Sequence, residues 1–191
     1  MNWQASASIE VLKQRAAYLQ QIRHFFNQRQ YLEVETPYMG RYGVTDPMLA
    51  NIKASFRQET YYLQTSPEYH MKRLLASGSG PIYQIARVFR DDEYGRWHNP
   101  EFTLLEWYQV DVDHWYLIRE LEELIQHLAD VPNFLHLSYH DAFQAACDIN
   151  PHLITLNEIQ AVCERYELAG VLAKEESLDQ HLHLLMAFVV E

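Results

Sequence analysis

Two stretches of this sequence carry residues that could do chemistry. In the run Glu101–Val110, strand parity places Phe102, Leu104, Glu106, Tyr108 and Val110 on one face. That face is apolar and aromatic except for one carboxylate, and a buried carboxylate requires a cation or several donors. Arg73 or Arg87 could pair with Glu106 structurally, or a substrate ammonium could supply the charge. Just upstream, Arg90, Asp91, Asp92, Glu93, Arg96 and His98 crowd a polar stretch. An arginine at a strand end is a good bidentate phosphate ligand. The neighbouring acids could accept hydrogen bonds from the exocyclic amine of a base. Read from residue chemistry alone, the same stretch could equally be a solvated turn laced with salt bridges.

The elements that must position these residues can be read from periodicity. Ser8 is placed to cap a helix running to about residue 27 or 30, with Ile9, Leu12, Ala16, Leu19, Ile22 and Phe26 forming one apolar stripe. Residues 31–37 alternate as a strand and stop at Pro37. Residues 38–50 read as a loop, followed by short strands near 51–56 and 60–64. Ser66, Pro67 and Glu68 combine a cap, a proline at the first helical position and a first-turn acid, predicting a helix to about Ser77 that ends at Gly78. Runs 82–90 and 101–112 form a hairpin whose connection is too long for a tight turn, and such loops often carry function. Helices are predicted at 115–129, 139–147, 155–167 and 177–190. The expected class is α+β, an antiparallel sheet flanked by helices with the hairpin strands adjacent and central.

Composition narrows the function classes. The chain has 191 residues, 48% apolar and 21% charged, a globular balance that could form one domain. No apolar run could span a bilayer, and Met1 to Glu10 show no basic patch followed by an apolar stretch, so a cytoplasmic location is expected. Cys147 and Cys163 read as reduced thiols. Residues 1–100 hold 12 Lys/Arg against 9 Asp/Glu, whereas residues 101–191 hold 3 against 17. So acidic a second half makes a poor nucleic-acid platform. No metal ligand set is found.

The segment Val88–Tyr108 (VFRDDEYGRWHNPEFTLLEWY) resembles motif 2 of the class II aminoacyl-tRNA synthetases, and its block His98–Thr103 is especially similar to the lysyl branch. Thr65–Leu74 resembles that branch's Thr-Ser-Pro-Glu helix start. The helix 8–30 with residues 31–37 resembles motif 1, whose proline sits at a dimer interface. Together the three blocks cover much of residues 8–125. The phrasing of 66–75 and 95–108, and a start almost directly at motif 1, are most similar to the short lysyl-tRNA synthetase paralogues that ligate a lysine-like amino acid to elongation factor P.

The resemblance implies an α+β class II catalytic domain that uses ATP, with magnesium, to form an aminoacyl adenylate and pass it to a lysine of elongation factor P. A homodimer is implied and tRNA is an unlikely partner. Alternatives are a fragment of a tRNA-charging lysyl-tRNA synthetase, and a non-catalytic module that dimerises or binds amino acid. By motif position, Arg90 holds the α-phosphate, Phe102 stacks on adenine, His98 shapes the loop near ATP, and Glu68, Glu106 and Tyr108 contact the amino acid. Read without the resemblance, Glu68 is a first-turn acid complementing the helix dipole. The family places glutamate two residues after the arginine; Asp92 stands there instead, with Glu93 next, so which acid reads adenine is open. Motif 3, a glycine-rich segment ending in arginine, does not occur in the chain. Magnesium ligands are expected beyond Glu191, and the 191 residues alone are expected not to complete the reaction. Whether α-lysine or β-lysine is activated is undecided.

Overall fold

The computed structural model describes residues 3–91, 94–171 and 177–191, which fall into two compact units, Met1–Pro132 and Asn133–Glu191. The first unit opens with α1 (Ile9–Gln28), and the Ser8 side chain accepts from Val11 N as the sequence predicts. The expected apolar stripe is only partly buried. Phe25 and Phe26 enter the core, while Ile9, Val11, Leu12 and Tyr18 remain exposed. The strand expected over 31–37 contracts to β1 (Leu32–Glu33). The loop 38–50 contains a short strand, β2 (Met39–Gly40), which pairs with β4 (Glu59–Leu63), itself paired with β3 (Lys53–Phe56).

The hairpin forms as predicted from β5 (Ile82–Phe89) and β6 (Glu101–Tyr108), in antiparallel register from Ile82↔Tyr108 to Phe89↔Glu101. A correction concerns the sheet around it. β1 runs parallel to β5, so the β1-β5-β6 sheet is mixed, with β5 central and β6 at the edge among the described residues. β2-β4-β3 is a separate antiparallel sheet. Helices and small sheets together make the unit α+β.

Alternation along the hairpin gives its faces different tasks. Tyr83, Ile85, Leu105 and Trp107 point into a core with Ile22, Phe25, Phe26, Tyr31 and Leu124, the last from α3 (His114–Leu128). Phe26 stacks on Tyr83 at 4.5 Å between ring centroids and meets Tyr31 edge-on at 5.1 Å. The buried Glu120 of α3 accepts from Tyr31 Oη at 2.6 Å and from Trp107 Nε1 at 3.0 Å, so polar bonds fix helix, loop and strand together. Arg23 and the Tyr83 hydroxyl both bond Glu33, tying α1 to β1 and β5. The opposite face carries Gln84, Ala86, Val88, Phe102, Leu104, Glu106 and Tyr108.

The second unit contains α4 (Tyr139–Cys147), α5 (Leu156–Arg165) and α6 (Leu178–Leu185), with a π-helical turn at Met186–Val190 ending the predicted last helix. Phe143, Cys147, Ile159, Cys163 and Leu185 form its core. Capping boxes at Thr155–Glu158 and Ser177–Gln180 set the starts of α5 and α6. Both cysteines are buried and free of disulfides.

Phe26 is fully buried between four aromatic or apolar partners. Its replacement by alanine is expected to destabilise the first unit by about 3–5 kcal/mol in denaturant titration. A loss below about 1 kcal/mol would show that the aromatic cluster does not carry the fold.

Candidate functional site

The helix α2 (Glu68–Ala76) begins beside β6, and Ser66 joins the two. Proline takes the N-cap position instead of the first helical turn, and makes no side-chain cap. Ser66 does the capping work from one residue further back: its Oγ accepts from Glu68 N at 3.1 Å. The same hydroxyl donates to Glu106 Oε2 at 2.5 Å, and Tyr108 Oη donates to Glu106 Oε1 at 2.6 Å. Each carboxylate oxygen thus holds one hydroxyl. This settles how the protein supports Glu106. Neither Arg73 nor Arg87, the partners foreseen, pairs with it, and Arg87 lies 3.8 Å from Glu101 instead. A carboxylate has roughly four acceptor sites, so two donors leave room for a ligand's ammonium.

Burial and the donated bond to Glu106 push the Tyr108 hydroxyl far above the ordinary tyrosine range, with the charge of Glu68 adding to the effect. Glu68 points along the same region. It accepts from Lys72 Nζ at 2.6 Å one turn along α2 and lines a cavity of about 420 Å³. Gly40 of β2, Tyr42, Asp46 and Asn51 of the chain between β2 and β3, and Tyr69 of α2 supply other walls. Sequence reasoning missed Ser66, Lys72 and these loop residues. The spacing Ser66-x-Glu68 was the available signal, since a serine can accept from the backbone N–H two residues on.

Arg90 follows the last residue of β5, and its backbone N donates to Pro100 O at 2.9 Å. Its guanidinium lies over the Phe102 ring, 5.0 Å from the centroid. Arg90, Trp97, His98, Asn99 and Phe102 line a separate cavity of about 250 Å³. The turn around it is held by Gly95 N donating to His98 O at 3.0 Å. The predicted residues therefore fall into two groups near the two ends of β6: Arg90, His98 and Phe102 by its start, Glu68, Glu106 and Tyr108 by its end. Four residue steps of extended chain take Phe102 to Glu106, about 13 Å. Asp92 and Glu93 lie outside the described residues. Among the described residues no group of three or more histidine, cysteine, aspartate or glutamate side chains could hold a metal ion, so none is assigned to magnesium. No helix among them is long and apolar enough to cross a membrane.

Comparison with known proteins bears on this arrangement. The family tRNA synthetases class II (D, K and N) matches residues 1–189. The chain is 46% identical to an elongation factor P--(R)-beta-lysine ligase from Photorhabdus laumondii, over all of this chain and 60% of that protein. Proteins of the same name from Photobacterium profundum and Edwardsiella ictaluri are each 44% identical, over 99% and 100% of this chain. The chain spans about 60% of the length of these curated relatives.

Tyr31, Tyr83 and Tyr108 are all raised above the ordinary tyrosine value, first by burial and then by bonds to Glu120, Glu33 and Glu106. A raised folded-state value contributes stability below the unfolded value, near 10, and that contribution is lost as pH climbs through the folded value. Stability measured by urea titration should therefore fall above about pH 10. Tyr108→Phe should make that alkaline fall shallower by one proton's worth. An unchanged slope would contradict the placement of Tyr108 on Glu106.

Proposed function

We propose, from the premise that this chain belongs to the class II tRNA synthetases of the D, K and N type, that it serves an ATP-dependent ligase. This ligase activates lysine or a lysine-like amino acid as the adenylate and transfers it to a lysine of elongation factor P. The observation that carries the reading is the arrangement of one strand face. A cationic fork over an aromatic ring lies at one end, and a hydroxyl-bonded carboxylate with a second acid nearby lies at the other. The spacing of about 13 Å suits a nucleotide joined to an extended amino acid. The relatives' shared name supplies the acceptor and favours (R)-β-lysine as the amino acid. The acidic second half, 3 Lys/Arg against 17 Asp/Glu, argues against tRNA as the acceptor.

In this mechanism Phe102 stacks on adenine and Arg90 holds the α-phosphate, with His98 shaping the loop between them. Asp92 or Glu93 accepts from the adenine amine. Glu106 and Glu68 draw the substrate's ammonium groups, and Tyr108 orients Glu106. The substrate carboxylate attacks the α-phosphorus in line, the bond to pyrophosphate breaks, and charge on the phosphoryl oxygens is met by Arg90. The acceptor amine then attacks the acyl carbonyl and AMP leaves. Magnesium would neutralise phosphate charge when bound; no residue of this chain is assigned to it. The mixed β1-β5-β6 sheet is proposed as part of the class II catalytic-domain sheet flanked by helices, with residues 8–37 and 82–112 as motifs 1 and 2. Motif 3 is not found in these 191 residues, and the chain by itself is proposed to be inactive. A cytoplasmic location is proposed with this activity.

The homodimer is proposed through α1 and the strand after it. Ile9, Val11, Leu12 and Tyr18 are large, apolar and exposed on α1. A groove of about 440 Å³ between α1 and the hairpin is lined by Val11, Tyr18, Leu19, Ile22, Ile85 and Leu105. Sedimentation at micromolar concentration should report a dimer for the natural protein that carries this sequence, and Leu12→Asp should shift it toward monomer. A monomer before substitution would refute the proposal.

Arg90 is tested by amino-acid-dependent ATP–pyrophosphate exchange in the same protein. Arg90→Ala should lower the rate about 10²–10³-fold, the scale for removing one preorganised donor. Arg90→Lys should recover only part, since lysine lacks the bidentate fork. Normal exchange by the alanine variant would refute the assignment.

A further inference from the structure

We infer that Gln84 is a positioning residue for Glu106, keeping a donor in reserve that bonds this carboxylate once the amino acid is seated. The inference rests on the amino-acid reading of the site above and deepens it, naming a residue outside the set predicted from sequence. Gln84 lies within β5 and is 1% exposed. Its Oε1 accepts from Thr36 Oγ1 at 3.0 Å. Its Nε2 is buried and has no hydrogen-bond partner among the described residues. A buried donor left unpaired is costly, and such groups are few in folded proteins.

The strand register shows which acceptor is within reach. Gln84 stands directly opposite Glu106 of β6, on the same face. Directly opposed residues have Cβ atoms about 4.5–5.5 Å apart, a gap that these two side chains span. The other buried acceptors without a partner stand elsewhere. Gln64 Oε1 belongs to an amide anchored on Arg87 O, three residues along β5. Glu120 Oε1 belongs to the carboxylate that bonds Tyr31 and Trp107 on the core face. The orientation of the amide agrees. A neighbouring anion favours the NH₂ end of a carboxamide over its oxygen end, and the Thr36 hydroxyl can donate to that oxygen.

Donor counting gives the reserve its role. A carboxylate has roughly four acceptor sites. Ser66 and Tyr108 each take one, on different oxygens of Glu106. A substrate ammonium takes the third and the Gln84 amide the fourth. Seating the ammonium turns the carboxylate, and the turn brings a spare lone pair onto Gln84 Nε2. The donor that is unsatisfied in the ligand-free chain is then satisfied, and the relief of its cost adds to the affinity for the amino acid. Thr36 holds the other end of the amide meanwhile. Gln84 therefore acts through Glu106 and does not touch the substrate.

Steady-state ATP–pyrophosphate exchange by the natural protein that carries this sequence tests this, with lysine and β-lysine as varied substrates. Gln84→Met keeps the length of the side chain and removes both ends of the amide. It should raise KM for the amino acid about tenfold, the scale for losing a hydrogen bond to a charged group, with kcat and KM for ATP close to the parent values. Thr36→Val removes the bond to Gln84 Oε1 and leaves Nε2 in place. It should lower the melting temperature and keep the amino-acid KM close to the parent value. A purely structural amide would lower melting in both variants and leave KM alone in both. A crystal structure of the parent with the amino acid bound tests the bond without any substitution, and Gln84 Nε2 should lie within about 3.2 Å of a Glu106 oxygen. An ammonium seated on Glu106 with Nε2 still unpaired, or an unchanged KM in a folded Gln84→Met protein, overturns this inference and leaves the proposed activity standing. Absence of exchange with either amino acid in the parent overturns both.

Discussion

A carboxylate held by two hydroxyls organises the first unit's working face. Glu106 sits on an otherwise apolar and aromatic strand face, where an unsupported charge would be costly. Ser66 and Tyr108 each give it one short bond, at 2.5 and 2.6 Å. Those bonds satisfy the anion without neutralising it. A cation in the same place would have consumed the charge; hydroxyls orient the group and leave it negative. Because Ser66 also receives the first N–H of α2, the start of that helix and the position of Glu68 depend on the same atom.

The hairpin makes this arrangement affordable in fold terms. Period-two alternation sends Tyr83, Ile85, Leu105 and Trp107 to the aromatic core and puts Phe102, Glu106 and Tyr108 of the proposed site on the other side of β6. On β5 both faces are buried, Ile82, Gln84, Ala86 and Val88 on one side and Tyr83 on the other, so the proposed site draws on the β6 part of its face. The register Gln84↔Glu106 and Val88↔Phe102 sets how far the carboxylate stands from the aromatic ring. A one-residue slip would exchange the faces and destroy both at once. The bonds from Tyr31 and Trp107 to Glu120 resist such a slip, since they anchor the core face to α3.

Much of this was legible in the residue pattern. Parity alone placed Phe102, Glu106 and Tyr108 on one face, and the hairpin, α1 and α4 form at or within a few residues of their predicted bounds. The misses have physical reasons. Residues 31–37 alternate like a strand, yet only Leu32 and Glu33 pair, because pairing is decided by what β5 offers alongside and not by the pattern itself. Its parallel direction is set by the long path of chain between them, which no local signal reveals. The short strand Met39–Gly40 falls in a stretch whose glycines read as loop. The support of Glu106 by Ser66 joins residues 40 apart in the chain, and long-range side-chain pairs leave no trace in periodicity. Arg90 over Phe102 was foreseen only as two residues of one motif; their stacking is a product of the turn that joins the strands.

The central claim is that Glu106 keeps its negative charge in order to bind a substrate ammonium. Glu106→Gln tests it most directly, since the amide has the same shape, can accept from one of Ser66 and Tyr108 while donating to the other, and carries no charge. In the natural protein that carries this sequence, KM for lysine in ATP–pyrophosphate exchange should rise about a hundredfold, the scale for removing one partner of a hydrogen-bonded charge pair. KM for ATP and the melting temperature should stay close to the parent values. A lysine KM unchanged in a well-folded Glu106→Gln protein would contradict the account, and would make Glu106 a structural acceptor for two hydroxyls and nothing more.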